Sequence, residues 1–154
     1  MLDQLSFIRT DAQPAAVIHL TIPREKIRDV MHPAMMEVIE AVKAQGIGPA
    51  GPVFSHHFDL QPGMFNFEVG VPVSAAVEPV GRVKAGELPA VTVVRTVYTG
   101  PYEDLGEAWG EFMDRIEITG LEPADRFWER YVSGPESSPD PSTWRTELNR
   151  VVIS

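Results

Sequence analysis

The sequence predicts an α+β fold in which a strand, a helix and two further strands occur twice. The segment Gly46-Ile47-Gly48-Pro49-Ala50 returns as Gly120-Leu121-Glu122-Pro123-Ala124, about half a chain later. In both places it follows a helical pattern and precedes two strand patterns, so the order of elements repeats as well. We therefore expect two repeats, at about residues 14–73 and 89–152, within a single domain of residues 1–154.

The first repeat begins with a predicted strand at Ala16–Ile22. Apolar residues then recur at spacings of three and four from Ile27 to Val42, which places them on one face of a helix. Pro33 lies inside this stretch, so the helix either begins near Pro33 or begins near Ile27 and is kinked. Gly46 is a typical stop signal. Two strands and the turn between them follow, at Val53–Phe58, Phe65–Val71 and Gln61-Pro62-Gly63.

The second repeat follows a connection rich in proline, glycine and alanine, which includes a short strand near Val83. Val91–Tyr98 is a predicted strand rich in β-branched residues. Pro101 suits the first position of the next helix, and Gly120 suits its end. The remaining predicted elements are the strands Phe127–Val132 and Trp144–Val152, with a proline-rich loop between them.

Packing these elements in layers gives a largely antiparallel sheet with two helices on one face. A pseudo-twofold axis would relate the repeats and place a central groove where they meet, a common position for a small ligand. The same symmetry predicts that Glu68 occupies the place of Glu147. Duplication predicts where a site lies, and not its chemistry.

Composition excludes several classes of protein. The net charge is −9, with only 13 lysines and arginines in 154 residues, which argues against direct nucleic-acid binding. No stretch is long and apolar enough to span a membrane, and the N-terminus lacks the pattern of a signal peptide. Cysteine is absent, which removes disulfides and thiolate chemistry. We expect a cytoplasmic protein without a cofactor.

Two adjacent histidines, His56 and His57, are poor partners for one metal ion, because neighbours in a strand point to opposite faces. We expect no metal site. His56 and Phe67 remain candidates for lining the groove of the first repeat.

The last two strands carry the most informative side chains. Alternation places Glu129 and Tyr131 on one face of their strand, and Glu147 and Asn149 on one face of the next. Two glutamates on neighbouring strands could share a pocket, which suits either a cationic ligand or proton transfer. The alternative is that each faces solvent or pairs with an arginine, for which the candidates are Arg126, Arg130 and Arg145.

Four motifs resemble the GyrI-like effector-binding family: Tyr98-Thr99-Gly100-Pro101-Tyr102, Trp128-Glu129-Arg130-Tyr131, Gly134-Pro135 and Trp144-Arg145-Thr146-Glu147-Leu148. With the duplicated plan, the resemblance extends over nearly the whole chain. It implies an SHS2-like tandem βαββ fold whose central groove binds small aromatic or cationic molecules. Glu147 matches the family's pocket glutamate, Glu129 and Tyr131 match an acidic and an aromatic position, and Tyr98 falls near the groove.

The resemblance leaves three functions open. The leading one is a stand-alone binding protein, since no helix-turn-helix segment precedes the domain. The second is a hydrolase of electrophilic, cyclopropane-bearing molecules, with Glu147 and Glu129 as its catalytic residues. The third is an interaction protein that modulates DNA gyrase. A homodimer is also left open.

Overall fold

The computed structural model describes residues 2–59 and 62–153, and within these ranges the protein has an α+β fold with eight strands and two α-helices. The chain divides into two compact units. The N-terminal unit is Asp11–Ala90, and the C-terminal unit combines the residues up to Thr10 with those from Val91 onward.

The elements have the following bounds along the chain. The strands are β1 Ser6–Arg9, β2 Gln13–Pro23, β3 Phe54–His57, β4 Met64–Pro72, β5 Lys84–Leu88, β6 Thr92–Thr99, β7 Glu122–Ser133 and β8 Arg145–Ile153. The α-helices are α1 Ile27–Ala44 and α2 Leu105–Thr119. Short 3-10 turns precede both helices and β8.

The N-terminal unit is an antiparallel sheet in the order β3-β4-β2-β5, with α1 on one face. Alternation along β2 and β4 turns one set of apolar residues towards α1. Ile18 and Val69 pair directly, and both pack with Val38 of the helix. Burying these side chains on a single helix stripe forms the core of the unit.

The C-terminal unit repeats this plan, with the order β1-β6-β8-β7 and α2 on one face. Leu148 of β8 and Phe112 of α2 lie in its core. Each unit has one edge strand that directly precedes, along the chain, the first long strand of the other unit. β1 immediately precedes β2 but pairs with β6, and β5 immediately precedes β6 but pairs with β2.

The strand register within each of the two units supports the predicted equivalence of Glu68 and Glu147. Glu68 pairs with His19 on β2 and with His56 on β3. Glu147 pairs with Val97 on β6 and with Arg130 on β7. Both glutamates therefore occupy the central strand of a strand–helix–strand–strand unit, with the first and third elements on either side.

The helix boundaries settle one alternative that the sequence left open. Helix α1 begins at Ile27 and includes Pro33, so its first turns form before the proline rather than at it. The proline lacks the N–H that would bond to the backbone carbonyl one turn back, and the helix continues for about three further turns beyond it. At the end of α2, Gly120 adopts φ = 78°, a left-handed conformation that glycine adopts without steric cost.

Two differences from the predicted elements concern strands. Strand β1 was absent from the predicted pattern, because its four residues are mostly exposed and lack a continuous apolar alternation. Strand β7 begins at Glu122, five residues earlier than predicted, and has irregular pairing with β8 between Pro123 and Phe127. In the predicted Gln61-Pro62-Gly63 turn, Gln61 lies outside the described residues, and Gly63 has φ = 73°.

Candidate functional site

The sheet of the C-terminal unit has a helix face, which packs against α2, and a far face, which is turned away from it. Directly paired residues of antiparallel strands share a face, so the register decides where each side chain points. Leu148, which packs beneath α2, pairs with Glu129, and both lie on the helix face. Glu147 pairs with Arg130, and both lie on the far face.

Four polar side chains on the far face form an arginine–glutamate cluster, which consists of Arg95, Arg130, Glu147 and Asn149. Arg130 Nη1 donates to both oxygens of Glu147, at 3.1 Å and 3.2 Å. Asn149 Nδ2 donates to Oε1 at 3.1 Å, and Arg95 Nε lies 3.2 Å from the same oxygen. Arg95 Nε also donates to Asn149 Oδ1 at 2.6 Å. The carboxylate is thus enclosed by one amide and two positive charges.

This cluster is largely withdrawn from solvent. The side chain of Glu147 is 11% exposed, and those of Arg95 and Arg130 are 24% and 29% exposed. Removing charges from water is costly, and well-packed apolar residues in their place are often at least as stabilising. An ion-pair cluster in the middle of a sheet is therefore a functional-site candidate rather than a requirement of the fold.

An indole lies next to the cluster. Trp128 pairs directly with Asn149 and so shares the far face, where it is 1% exposed. Val97, the partner of Glu147 on β6, adds an apolar side chain to the same face. The far face thus combines charged hydrogen-bonding groups with a partly exposed apolar side chain and a buried indole, a composition typical of small-molecule sites.

A model of the GyrI-like small molecule binding domain matches residues 3–149. The chain belongs to the GyrI-like family. No curated protein matches it in sequence.

Solved structures with the same fold include three proteins. The C-terminal domain of EcmrR has 20% identity and a TM-score of 0.83, with 98% of both chains covered. In the EcmrR–DNA complex the TM-score is 0.81 at 20% identity, and the match covers 98% of this chain but 57% of that one. SAV2435 bound to tetraphenylphosphonium has 12% identity and a TM-score of 0.74, with 99% and 95% covered. A hydrolase from Listeria innocua has 13% identity and a TM-score of 0.59, with 97% and 92% covered.

The second glutamate of this GyrI-like chain lies in a different cluster, on the helix face. Glu129 accepts hydrogen bonds from Trp109 Nε1 at 2.6 Å and from the Tyr131 hydroxyl at 2.8 Å. The ring of Tyr102 lies 6.0 Å from that of Tyr131. Burial raises the pKa of the Tyr102 hydroxyl, and the carboxylates of Glu136 and Glu129 raise it further. We call Trp109, Glu129, Tyr131 and Tyr102 the aromatic cluster.

Of the two alternatives that the sequence left open, a pocket shared by Glu129 and Glu147 is wrong, and pairing with an arginine holds for Glu147. The strand alternation was read correctly on each strand, but it does not reveal how two strands are aligned. A shift of one residue moves every side chain to the opposite face. The observed register pairs Glu129 with Leu148 and Arg130 with Glu147, which separates the two carboxylates by the thickness of the sheet.

The other predicted site residues do not belong to the arginine–glutamate cluster. Tyr98 belongs to the core beneath α2, where its hydroxyl donates to Pro101 O at 2.9 Å. Phe67 is buried in the core beneath α1, stacked on the ring of His57 with centroids 4.9 Å apart. His56 is buried, and its ring centroid lies 4.6 Å from that of Phe58. Within the predicted set, Glu129 and Tyr131 contact each other through the hydrogen bond from the Tyr131 hydroxyl.

Sequence reasoning missed Arg95, and it considered Arg130 only as one of three arginines that could pair with a glutamate. A signal for Arg95 was present, because it is the one charged residue in the strand Thr92–Thr99. Its parity in the strand is opposite to that of the buried Tyr98. That parity alone indicated a side chain on the face away from the helix.

Two features that would suggest other functions are absent from the described part of the chain. Residues 2–59 and 62–153 contain no cluster of three His, Cys, Asp or Glu side chains arranged to hold a metal ion. Neither α-helix in these ranges is long and apolar enough to cross a membrane.

Proposed function

We propose that this chain binds small molecules that carry an aromatic ring, at the arginine–glutamate cluster on the far face of its C-terminal unit. The observation that carries the proposal is the mostly buried carboxylate of Glu147, held by two arginines and an amide beside an indole. Membership of a small-molecule binding family supports the same function. Tetraphenylphosphonium, bound to SAV2435, which shares the fold at 12% identity, is an aromatic cation.

Hydrolysis is less well supported by the geometry. A carboxylate that activates water needs a free oxygen directed at that water. Both oxygens of Glu147 accept from Arg130, and both oxygens of Glu129 accept from aromatic donors. The structural neighbour called a hydrolase shares only the fold at 13% identity. Catalysed opening of a cyclopropane-bearing electrophile, abolished by Glu147→Gln, would establish this second function.

The three tryptophans offer a direct test of where a ligand binds. Trp128 lies on the far face, Trp109 bonds to Glu129 on the helix face, and Trp144 Nε1 donates to Ser138 O at 2.9 Å. In an NMR titration with neutral 2-naphthamide, we expect the indole N–H signal of Trp128 to shift saturably. The variant Trp128→Phe assigns that signal by its loss.

The same titration distinguishes the competing sites. Amide signals of β6, β7 and β8 around Arg95, Arg130 and Glu147 should shift with the Trp128 indole. A saturable shift of Trp109 alone would place the ligand at the aromatic cluster and contradict the proposed site. An unchanged spectrum at millimolar probe would reject small aromatic ligands altogether.

A further inference from the structure

The charge of the ligand follows from the balance of charges around Glu147. The arginine–glutamate cluster holds two positive side chains and one negative one, so its net charge is +1. The carboxylate already has a guanidinium on either side at 3.1–3.2 Å. A cationic ligand that approaches Glu147 would meet these arginines as like charges in a partly buried site, where repulsion is screened less than in water.

The arginines also have donor groups that the protein does not use. Within the described ranges, Arg95 bonds only through Nε, so its two terminal nitrogens have no protein partner. Arg130 bonds only through Nη1, which leaves its Nε and Nη2 without one. Both side chains are about one quarter exposed, so the unused N–H groups are within reach of a small molecule.

Guanidinium groups with free N–H pairs bind carboxylate, phosphate and sulfonate oxygens in a two-point geometry. Val97, the partner of Glu147 on β6, supplies partly exposed apolar surface for a ring, and the indole of Trp128 is buried beside the cluster. From this arrangement, and resting on the proposed function, we infer that the site takes a small aromatic anion, a ring bearing an anionic oxygen group. Glu147 then orients the arginines and limits the positive charge.

The protein as a whole has a net charge of −9, opposite in sign to the charge of the cluster. A preference for anions would therefore come from the cluster and not from the rest of the surface. A strongly acidic protein attracts cations and repels anions at long range, and salt screens that effect. A preference for an anion that persists at physiological salt therefore reports the cluster rather than the whole surface.

Three probes of one shape test the inference by calorimetry: 2-naphthoate as the anion, 2-naphthamide as the neutral form, and 2-naphthylmethylammonium as the cation. A charge-assisted pair of hydrogen bonds should make naphthoate bind about 10-fold or more tightly than naphthamide. The ammonium probe should bind most weakly.

Substitution of Glu147 should change the affinity in opposite directions for an anionic and a cationic ligand. Glu147→Gln raises the cluster charge from +1 to +2, so naphthoate should bind several-fold more tightly. In a cation site the same change would weaken the ammonium probe. Glu111→Gln is the matched control, because Glu111 is an exposed partner of Arg115 on α2 and its loss changes the total charge equally. Its affinities should stay within about twofold of the parent.

Arg130→Gln provides the second variant, and it decides the outcome if Glu147→Gln does not fold. It removes one of two positive charges and should lower naphthoate affinity about 10-fold or more, with naphthamide little changed. Thermal melts confirm that each variant is folded.

The outcomes separate the two proposals. Tightest binding of the ammonium probe, weakened by Glu147→Gln, would overturn the anion inference and leave the proposed function intact. Naphthoate binding that Arg130→Gln leaves unchanged would also overturn it. Binding of none of the three probes would reject the proposed function itself.

Discussion

Replacing His57 should remove an acid-sensitive part of the protein's stability. Burial, and to a smaller extent the positive charge of Arg24, lower the pKa of the His57 ring from 6.5 to about 4, and the negative charge of Asp59 opposes them in part. The ring is stacked on Phe67 with an interplanar angle of 9° and is 6% exposed, so water cannot easily reach it.

The sign and size follow from proton linkage. Above pH 6.5 the ring is neutral in both states, so it adds no dependence on pH. Below 6.5 the unfolded chain takes up a proton while the folded protein does not, and stability falls until the pH reaches about 4. At 1.36 kcal/mol per pKa unit, the loss between pH 7 and pH 5 is about 2 kcal/mol.

Urea denaturation at pH 7, 6 and 5 measures this contribution. His57→Phe keeps a ring that can stack on Phe67, and the difference between pH 7 and pH 5 should shrink by about 2 kcal/mol relative to the parent. His32→Phe, at an exposed position of α1, is the control and should retain the parent's difference. The same dependence of the free energy of unfolding on pH in the parent and in His57→Phe would refute the reasoning. An NMR titration midpoint near 6.5 for His57 would also refute it.

Four further predictions concern stability, each measured by urea unfolding. Trp109→Phe keeps a ring but removes the donor to Glu129, and should cost about 1–2 kcal/mol; no measurable cost would mean that water replaces it freely. Gly70→Ala would place a Cβ 2.7 Å from a carbonyl oxygen of β2 and should cost about 2–3 kcal/mol. Gly110→Ala, on an exposed helical position with nothing within 4 Å, should instead stabilise by about 0.5–1 kcal/mol. Gly120→Ala should cost about 1 kcal/mol because of its left-handed backbone, and a neutral effect would contradict that cause.

Local patterns predicted most of the regular elements. The helical spacing from Ile27 to Val42 lies within α1, and Gly120 ends α2 as expected. These features depend on neighbours in sequence, through helical periodicity and backbone preference. Strand β1 was missed because it is stabilised by its pairing with β6, more than 80 residues away, and not by a pattern of its own.

In the candidate site, too, local patterns predicted some features, and the pairing of distant strands decided the others. Alternation correctly grouped Glu147 with Asn149, and Glu129 with Tyr131. It did not show that the two pairs lie on opposite faces, nor that Arg95 of a distant strand reaches Glu147. The resemblance to the GyrI-like family correctly indicated the fold, and the roles carried over to individual residues stay predictions.

The sequence by itself determined the family, the duplicated α+β plan and the inward or outward parity of each strand residue. Only the tertiary structure decided which residues of different strands face one another. The physical reason is that parity is a property of one strand, whereas register is set by the joint burial of the apolar faces of the paired strands and by the irregular pairing near Pro123. That register places Glu147 at the centre of an arginine-rich cluster, and so changes the charge of the ligand we expect.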